Sequence, residues 1–182
     1  TGEVGKKWIE IPSKEHDPEN FEKNVDKLKT LSHKNWCTHS FNAEPYLSEG
    51  DFHILLDNGK PRLGVRFYED TITEIQGVQN NSQIPLEYFE DAKEHVEKNN
   101  YELDYRAIDE FEDAEIKKEE CKEAKKVLQP AIEKNDFPKI LDYFHIKSKE
   151  DKDGFYTISH YDLKHTCRGI KPADLGVNED AM

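Results

Sequence analysis

At 182 residues the chain is long enough for one domain, or for one domain with a helical appendage. Hydrophobic residues make up 35% and charged residues 36%, and the formal charge of -13 argues against a nucleic-acid binder held mainly by phosphate contacts, which needs a basic face. No apolar run approaches the roughly 20 residues that a membrane-spanning helix requires.

Low hydrophobicity with high net charge pushes toward disorder. Nine Phe, eight Tyr and two Trp placed in periodic segments oppose it, and a folded chain with a heavily solvated surface is expected. Cys37, Cys121 and Cys167 are odd in number and far apart, a poor disulfide framework that suits a reducing, cytoplasmic setting. The sequence shows no signal-peptide pattern. Thr1 in place of Met suits either a segment of a longer chain or one whose initiator Met is processed.

Trp8–Pro12 alternates as a short edge strand that Pro12 ends. Asp17-Pro18-Glu19 reads as a helix start, and Phe21, Val25, Leu28 and Leu31 fall on one stripe of a helix over 18–31. His33 to Leu47 is irregular, with one turn around Ala43–Leu47. Phe52–Asp57, Arg62–Tyr68 and Thr71–Gln76 read as three strands, the first two joined by an Asn58-Gly59 turn, since both residues tolerate the positive φ of a type I′ hairpin. Pro61 cannot donate to a ladder and predicts a longer loop or an edge position there. Leu63, Val65 and Phe67 alternate with Arg62, Gly64 and Arg66, the pattern of a sheet covered on one face only. Ile72 and Ile75 are out of step with strand alternation, which predicts a bulge or an early end. A helix over 86–98 carries Leu86, Phe89, Ala92 and Val96 toward the core and stops at Asn99-Asn100.

From Tyr101 to Glu115 seven acids stand against the single base Arg106. Ala114–Gln129 then predicts a helix with Cys121, Ala124, Val127 and Leu128 on one side, stopped by Pro130. A short helix over Pro138–Phe144 and a strand over Phe155–Tyr161 follow, with a turn near Pro172–Leu175. The expected fold is α+β: a small antiparallel β-meander covered on one side by helices 18–31 and 86–98, then an acidic helical region and a further short strand. Residues 1–100 form the α+β domain and 101–182 an acidic extension, separate or continuous with it.

The stretch 35–81 resembles the PcfJ-like segment of bacterial plasmid and phage proteins and of uncharacterised gut-bacterial proteins. Trp36-Cys37-Thr38, Tyr46, Gly50, the strand Phe52–Leu56, Arg66, Glu74-Ile75-Gln76-Gly77 and Asn80 carry the resemblance, over about a quarter of the chain. That family has no established activity, so the resemblance implies a bacterial or mobile-element setting rather than a mechanism.

Five constellations are candidates for chemistry. Cys37 beside Trp36, with His33 and His39 near, is either a thiol nucleophile activated by an imidazole or a packed hydrophobe. Cys37 with His39 and His165 with Cys167 could pair on a zinc ion, but their spacing is shorter than structural zinc sites use. The Lys149–His160 segment lacks the end ligands of a calcium loop and reads as an acidic turn. Arg62 and Arg66, with Glu74 and Gln76 on the neighbouring strand, form either a cross-strand ion pair or a polar cleft for an anionic or amide-bearing ligand, completed by Asn80 and Asn81. Asp109, Glu110, Glu112 and Asp113 make a concentrated negative field, either solubilising or a docking strip for a basic protein surface.

The expected function is a non-enzymatic protein-interaction module of a bacterial or phage protein. One alternative is an acidic inhibitor occupying the basic nucleic-acid groove of a target enzyme. The other is a thiol enzyme using Cys37 with a histidine. No cofactor and no metal is expected.

Overall fold

The computed structural model describes residues 5–79, 81, 83–143, 148–150, 152–153 and 156–158. The chain divides into two compact units, Thr1–Ala114 and Glu115–Met182.

The first unit is built on a five-stranded sheet whose strands follow one another in chain order: β1 (Lys6–Ile11), β2 (Phe52–Asp57), β3 (Lys60–Tyr68), β4 (Thr71–Gly77) and β5 (Glu102–Leu103). The first four run antiparallel and β5 lies parallel to β4. Asn58 (φ 51°) and Gly59 (φ 79°) close a two-residue hairpin, so Pro61 does not lengthen the loop. Instead the ladder slips by one residue: Leu55 faces Leu63, Leu56 faces Pro61, and Arg62 is passed over in a bulge. A second slip, between Arg66 and Phe67 opposite Thr73, restores Ile72 to the face that holds Ile75 and resolves their uneven spacing.

Both faces of this sheet are covered, not one. The alternation of β3 misleads because Gly64 offers no side chain to an apolar face that is filled from elsewhere. Trp36 and Phe52 cover it: a Cβ at Gly64 would lie 3.0 Å from Trp36 Cε2 and 3.1 Å from Phe52 Cζ. Ile54, Ile11, Phe52 and Trp36 pack on that face with Val25 and Leu28 of α1 (Phe21–Ser32) and Ala43 and Leu47 of α2 (Ala43–Glu49). Leu55, Leu63, Val65, Phe67, Ile72 and Ile75 pack on the other with Phe89 and Ala92 of α3 (Phe89–Asn99) and Ala107 and Ala114 of α4 (Tyr105–Glu133). The helices expected over 18–31 and 86–98 therefore lie on opposite faces. Burying roughly 100 Å² of apolar surface contributes about 2.5 kcal/mol, so a second covered face is a large gain for a sheet this small.

Helix boundaries follow local hydrogen bonding. Asp17 accepts from the Asn20 and Asn24 side chains within a turn, and α1 starts at Phe21 rather than at Pro18. Asn100 (φ 53°) ends α3 in the left-handed conformation, with Tyr101 N–H returning to the Val96 carbonyl. Asp104 Oδ1 accepts from the N–H groups of Arg106 and Ala107, both at 3.0 Å, and so starts α4. That helix joins the acidic stretch and the segment expected over 114–129.

α4 runs through Pro130 to Glu133. Pro130 is exposed; inside the helix it removes one N–H and crowds the carbonyl four residues back, a cost of about 3 kcal/mol, and continuation places buried Ala131 one residue on. In the second unit Cys121, Ala124 and Leu128 are buried as one stripe of α4, whereas Val127, expected with them, is exposed, because it falls about a quarter of a turn from that stripe's centre. Ile140 and Leu141 of α5 (Phe137–Tyr143) are buried. The C-terminal strand pairs antiparallel with a partner the alternation did not mark, β6 (Ser148–Glu150) against β7 (Tyr156–Ile158). The turn near 172–175, with Phe144, Asn80, His165 and Cys167, lies outside the described residues. No helix of the described residues is long and apolar enough to cross a membrane.

Candidate functional site

Among the described residues the sheet unit brings together a pair of buried histidines that sequence reading passed over. On β2 the alternation puts Phe52, Ile54 and Leu56 on the face of α1 and α2, and His53 and Leu55 on the face of α3. On α3 the stripe Phe89, Ala92 and Val96 turns inward, and His95, three residues past Ala92, falls within it. The two rings meet: His53 Nδ1 and His95 Nε2 are 2.9 Å apart, and the residues are only 2% and 6% exposed. Burial lowers both imidazoles to about 4, so both are neutral near pH 7.

Aromatic rings fix this pair. Trp8 stacks on His95 with centroids 3.8 Å apart and planes 11° from parallel. Phe67 lies 4.6 Å from the His53 ring, and Tyr101 meets both histidines at 5.7 and 5.4 Å. Glu10 is the residue of β1 directly opposite His53 across the ladder, which brings its side chain to the same face. One donor atom each from Glu10, His53 and His95 lie within 4.8 Å of one another. Glu10 and His95 also line a cavity of about 350 Å³, with Trp8, Lys6, Asp91 and Glu94 among its other walls.

The residues singled out from sequence are placed differently. Cys37 opens a 3₁₀ turn, Cys37–His39, and its thiol donates to the Tyr46 hydroxyl at 3.5 Å. Burial and that thiol raise Tyr46 to about 12. His33 and His39 are both exposed, and neither is the partner of the thiol. Of the zinc pairs weighed from sequence, only Cys37 and His39 fall among the described residues.

Arg66, Glu74 and Gln76 do share the face of α1 and α2. Arg66 donates to Glu49 at 2.9 Å, lies 3.8 Å from Glu74, and stacks 3.7 Å over the Tyr46 ring. Gln76 donates to Glu74. The space they enclose with Trp36 and Cys37 is only about 10 Å³, far below the roughly 300 Å³ at which ligand pockets begin. Arg62 does not join them. It occupies the bulge, and its charge acts on Tyr88, which donates to Asp57 on the α3 side. Asn81 bridges back to Gly77 and accepts from the Gln83 N–H.

The acidic stretch splits by helical phase. Ala107, Phe111 and Ala114 pack on the sheet, and Glu110, on their side of α4, accepts from the Ile75 N–H at 2.8 Å. Burial raises this carboxyl to about 7. Asp109, Glu112 and Asp113 face outward and are exposed, beside Tyr105 at 73% and Ile108 at 42% exposure.

Fold and site together define an α+β protein with a histidine pair held in an aromatic setting and an acidic outer helix face. The chain matches no protein-family model, no curated protein and no solved structure. The resemblance to the PcfJ-like segment therefore rests on its sequence motif alone.

Proposed function

We propose that this chain is a non-enzymatic protein-interaction module that docks a basic protein surface on the outward face of α4. The carrying observation is the grouping of two exposed apolar side chains, Tyr105 and Ile108, with three exposed acids, Asp109, Glu112 and Asp113. Aromatic and aliphatic groups supply desolvated contact, and the clustered acids supply steering toward a cationic partner. Glu110 is no part of this strip, since its carboxylate is engaged by the sheet. The motif in 35–81 supports a bacterial or mobile-element setting. Three cysteines far apart in the sequence, Cys37, Cys121 and Cys167, a poor disulfide framework, support a reducing, cytoplasmic one.

A photo-crosslinking residue in place of Ile108 tests this in bacterial cell lysate adjusted to a series of salt concentrations. One crosslinked protein is expected, with capture that falls as salt rises and falls again when Asp109→Asn, Glu112→Gln and Asp113→Asn are combined. Capture unchanged by that neutralisation would end the docking reading. If the captured protein is a nucleic-acid enzyme, and nucleic acid competes with the module for it, the module is an inhibitor of the groove-occupying kind.

A further inference from the structure

We propose that Glu10, His53 and His95 form a binding site for one divalent first-row transition metal of the zinc class, with an open coordination position facing the neighbouring cavity. Three observations carry it independently of the α4 face. The donors come from three different elements, β1, β2 and α3, yet converge within 4.8 Å. The two imidazoles are buried side by side with their nitrogens 2.9 Å apart. Their third neighbour is a carboxylate in ladder register with His53.

The chemistry of this donor set selects the ion. Neutral imidazole nitrogens are borderline ligands that suit zinc, cobalt, nickel and copper, whereas calcium and magnesium require oxygen donors almost throughout. Metal–ligand bonds of about 2.0–2.1 Å place tetrahedral neighbours about 3.3–3.4 Å apart. The two ring nitrogens need to part by only a few tenths of an ångström. Glu10, exposed on an edge strand, closes the remaining distance by a rotamer change that disturbs no core contact. On binding, the ring that donates between the two changes tautomer, its proton exchanging onto its other nitrogen, so both rings stay neutral and both facing lone pairs turn to the ion.

The surroundings favour retention of the metal. Trp8 stacked on His95 and Phe67 against His53 restrict ring rotation, so less orientational freedom is lost when the ion binds. With two histidines and one carboxylate bound, a tetrahedral ion keeps one position for water. Because Glu10 and His95 both line the cavity of about 350 Å³, that water faces a space large enough for a small molecule.

The test uses the full chain, stripped with a chelator and titrated with Zn²⁺ against a chromophoric competitor, and then with Co²⁺. One Zn²⁺ per chain is expected, with a rise in melting temperature and a Co²⁺ visible spectrum that lacks a thiolate charge-transfer band. Losing an outer-shell partner costs metal sites about 10–100-fold in affinity, so His95→Gln should cost at least about a hundredfold and Glu10→Gln at least about tenfold. Glu10→Gln changes an exposed residue and keeps the variant folded if His95→Gln does not fold. No Zn²⁺ binding, binding undiminished by Glu10→Gln, or a thiolate band that assigns the ion to cysteine would each overturn the site.

Discussion

The Glu110 carboxylate of α4 accepts a hydrogen bond from the backbone N–H of Ile75 in β4 at 2.8 Å. β5 pairs with β4 only at Thr71 and Ile72, so the N–H of Ile75 lies beyond the reach of that short strand. An unpaired edge donor invites other strands or costs its desolvation. An acidic helix side chain closes the edge instead. Its burial, together with the nearby Glu74 and Asp104 charges, holds the carboxyl at about 7, against an ordinary value of 4.5.

A carboxyl raised on folding destabilises the folded state once it ionises. Between 4.5 and about 7 the folded chain holds the proton and the unfolded chain has lost it, so this group's contribution declines as pH rises through that window. The group is partly exposed, and after allowance for solvent screening the loss is on the order of 1–2 kcal/mol. Glu110→Gln keeps an acceptor for Ile75 and cannot ionise. Urea titrations at pH 5 and pH 8 should show the variant gaining on the parent as pH rises. A difference of the same size at both pH values would refute the raised carboxyl.

Gly64 is required by close approach and not by backbone conformation, because Trp36 lies directly over it. Trp36 cannot yield easily: it is buried, and its Nε1 donates to the Gly77 carbonyl at 2.9 Å. Gly64→Ala should therefore cost about 1–3 kcal/mol. In a double-mutant cycle with Trp36→Phe, which removes the atoms nearest the added methyl, the two changes should couple by about 0.5 kcal/mol or more. Strict additivity would show that the strain lies elsewhere.

Arg66 answers two carboxylates and covers a tyrosine ring, so its planar shape matters as well as its charge. Arg66→Lys retains the charge but not the stacking or the forked donors, and should cost about 1 kcal/mol in chemical denaturation. Arg66→Met leaves Glu49 and Glu74 without their cation and should cost about 2 kcal/mol. Equal effects from the two substitutions would mean that Tyr46 stacking, and not ion pairing, holds the residue.

Much of the local structure was legible from residues alone. Phe52–Asp57 is a strand as read, Asn58-Gly59 makes the hairpin, and the uneven spacing of Ile72 and Ile75 marks a true bulge. These features depend on φ preferences and on periodicity within a few neighbours, which the chain carries wherever it is placed. The α+β class followed from the same signals. The acid density of 102–115 was equally plain, but not which acid would turn inward.

What only the tertiary structure decided concerns pairs distant in sequence. Trp36 filling the space over Gly64 converts a one-sided pattern into a two-sided sheet, and neither residue signals the other. The bulge at Arg62 separates it from Arg66, although alternation puts them on one face. His53 and His95 are 42 residues apart and each reads alone as a polar interruption of an apolar pattern. Their meeting depends on the phase at which α3 docks against β2, as the inward turn of Glu110 depends on the phase of α4. Helical phase is set by how whole faces interlock, and that information belongs to the packed sheet and helices rather than to any one segment.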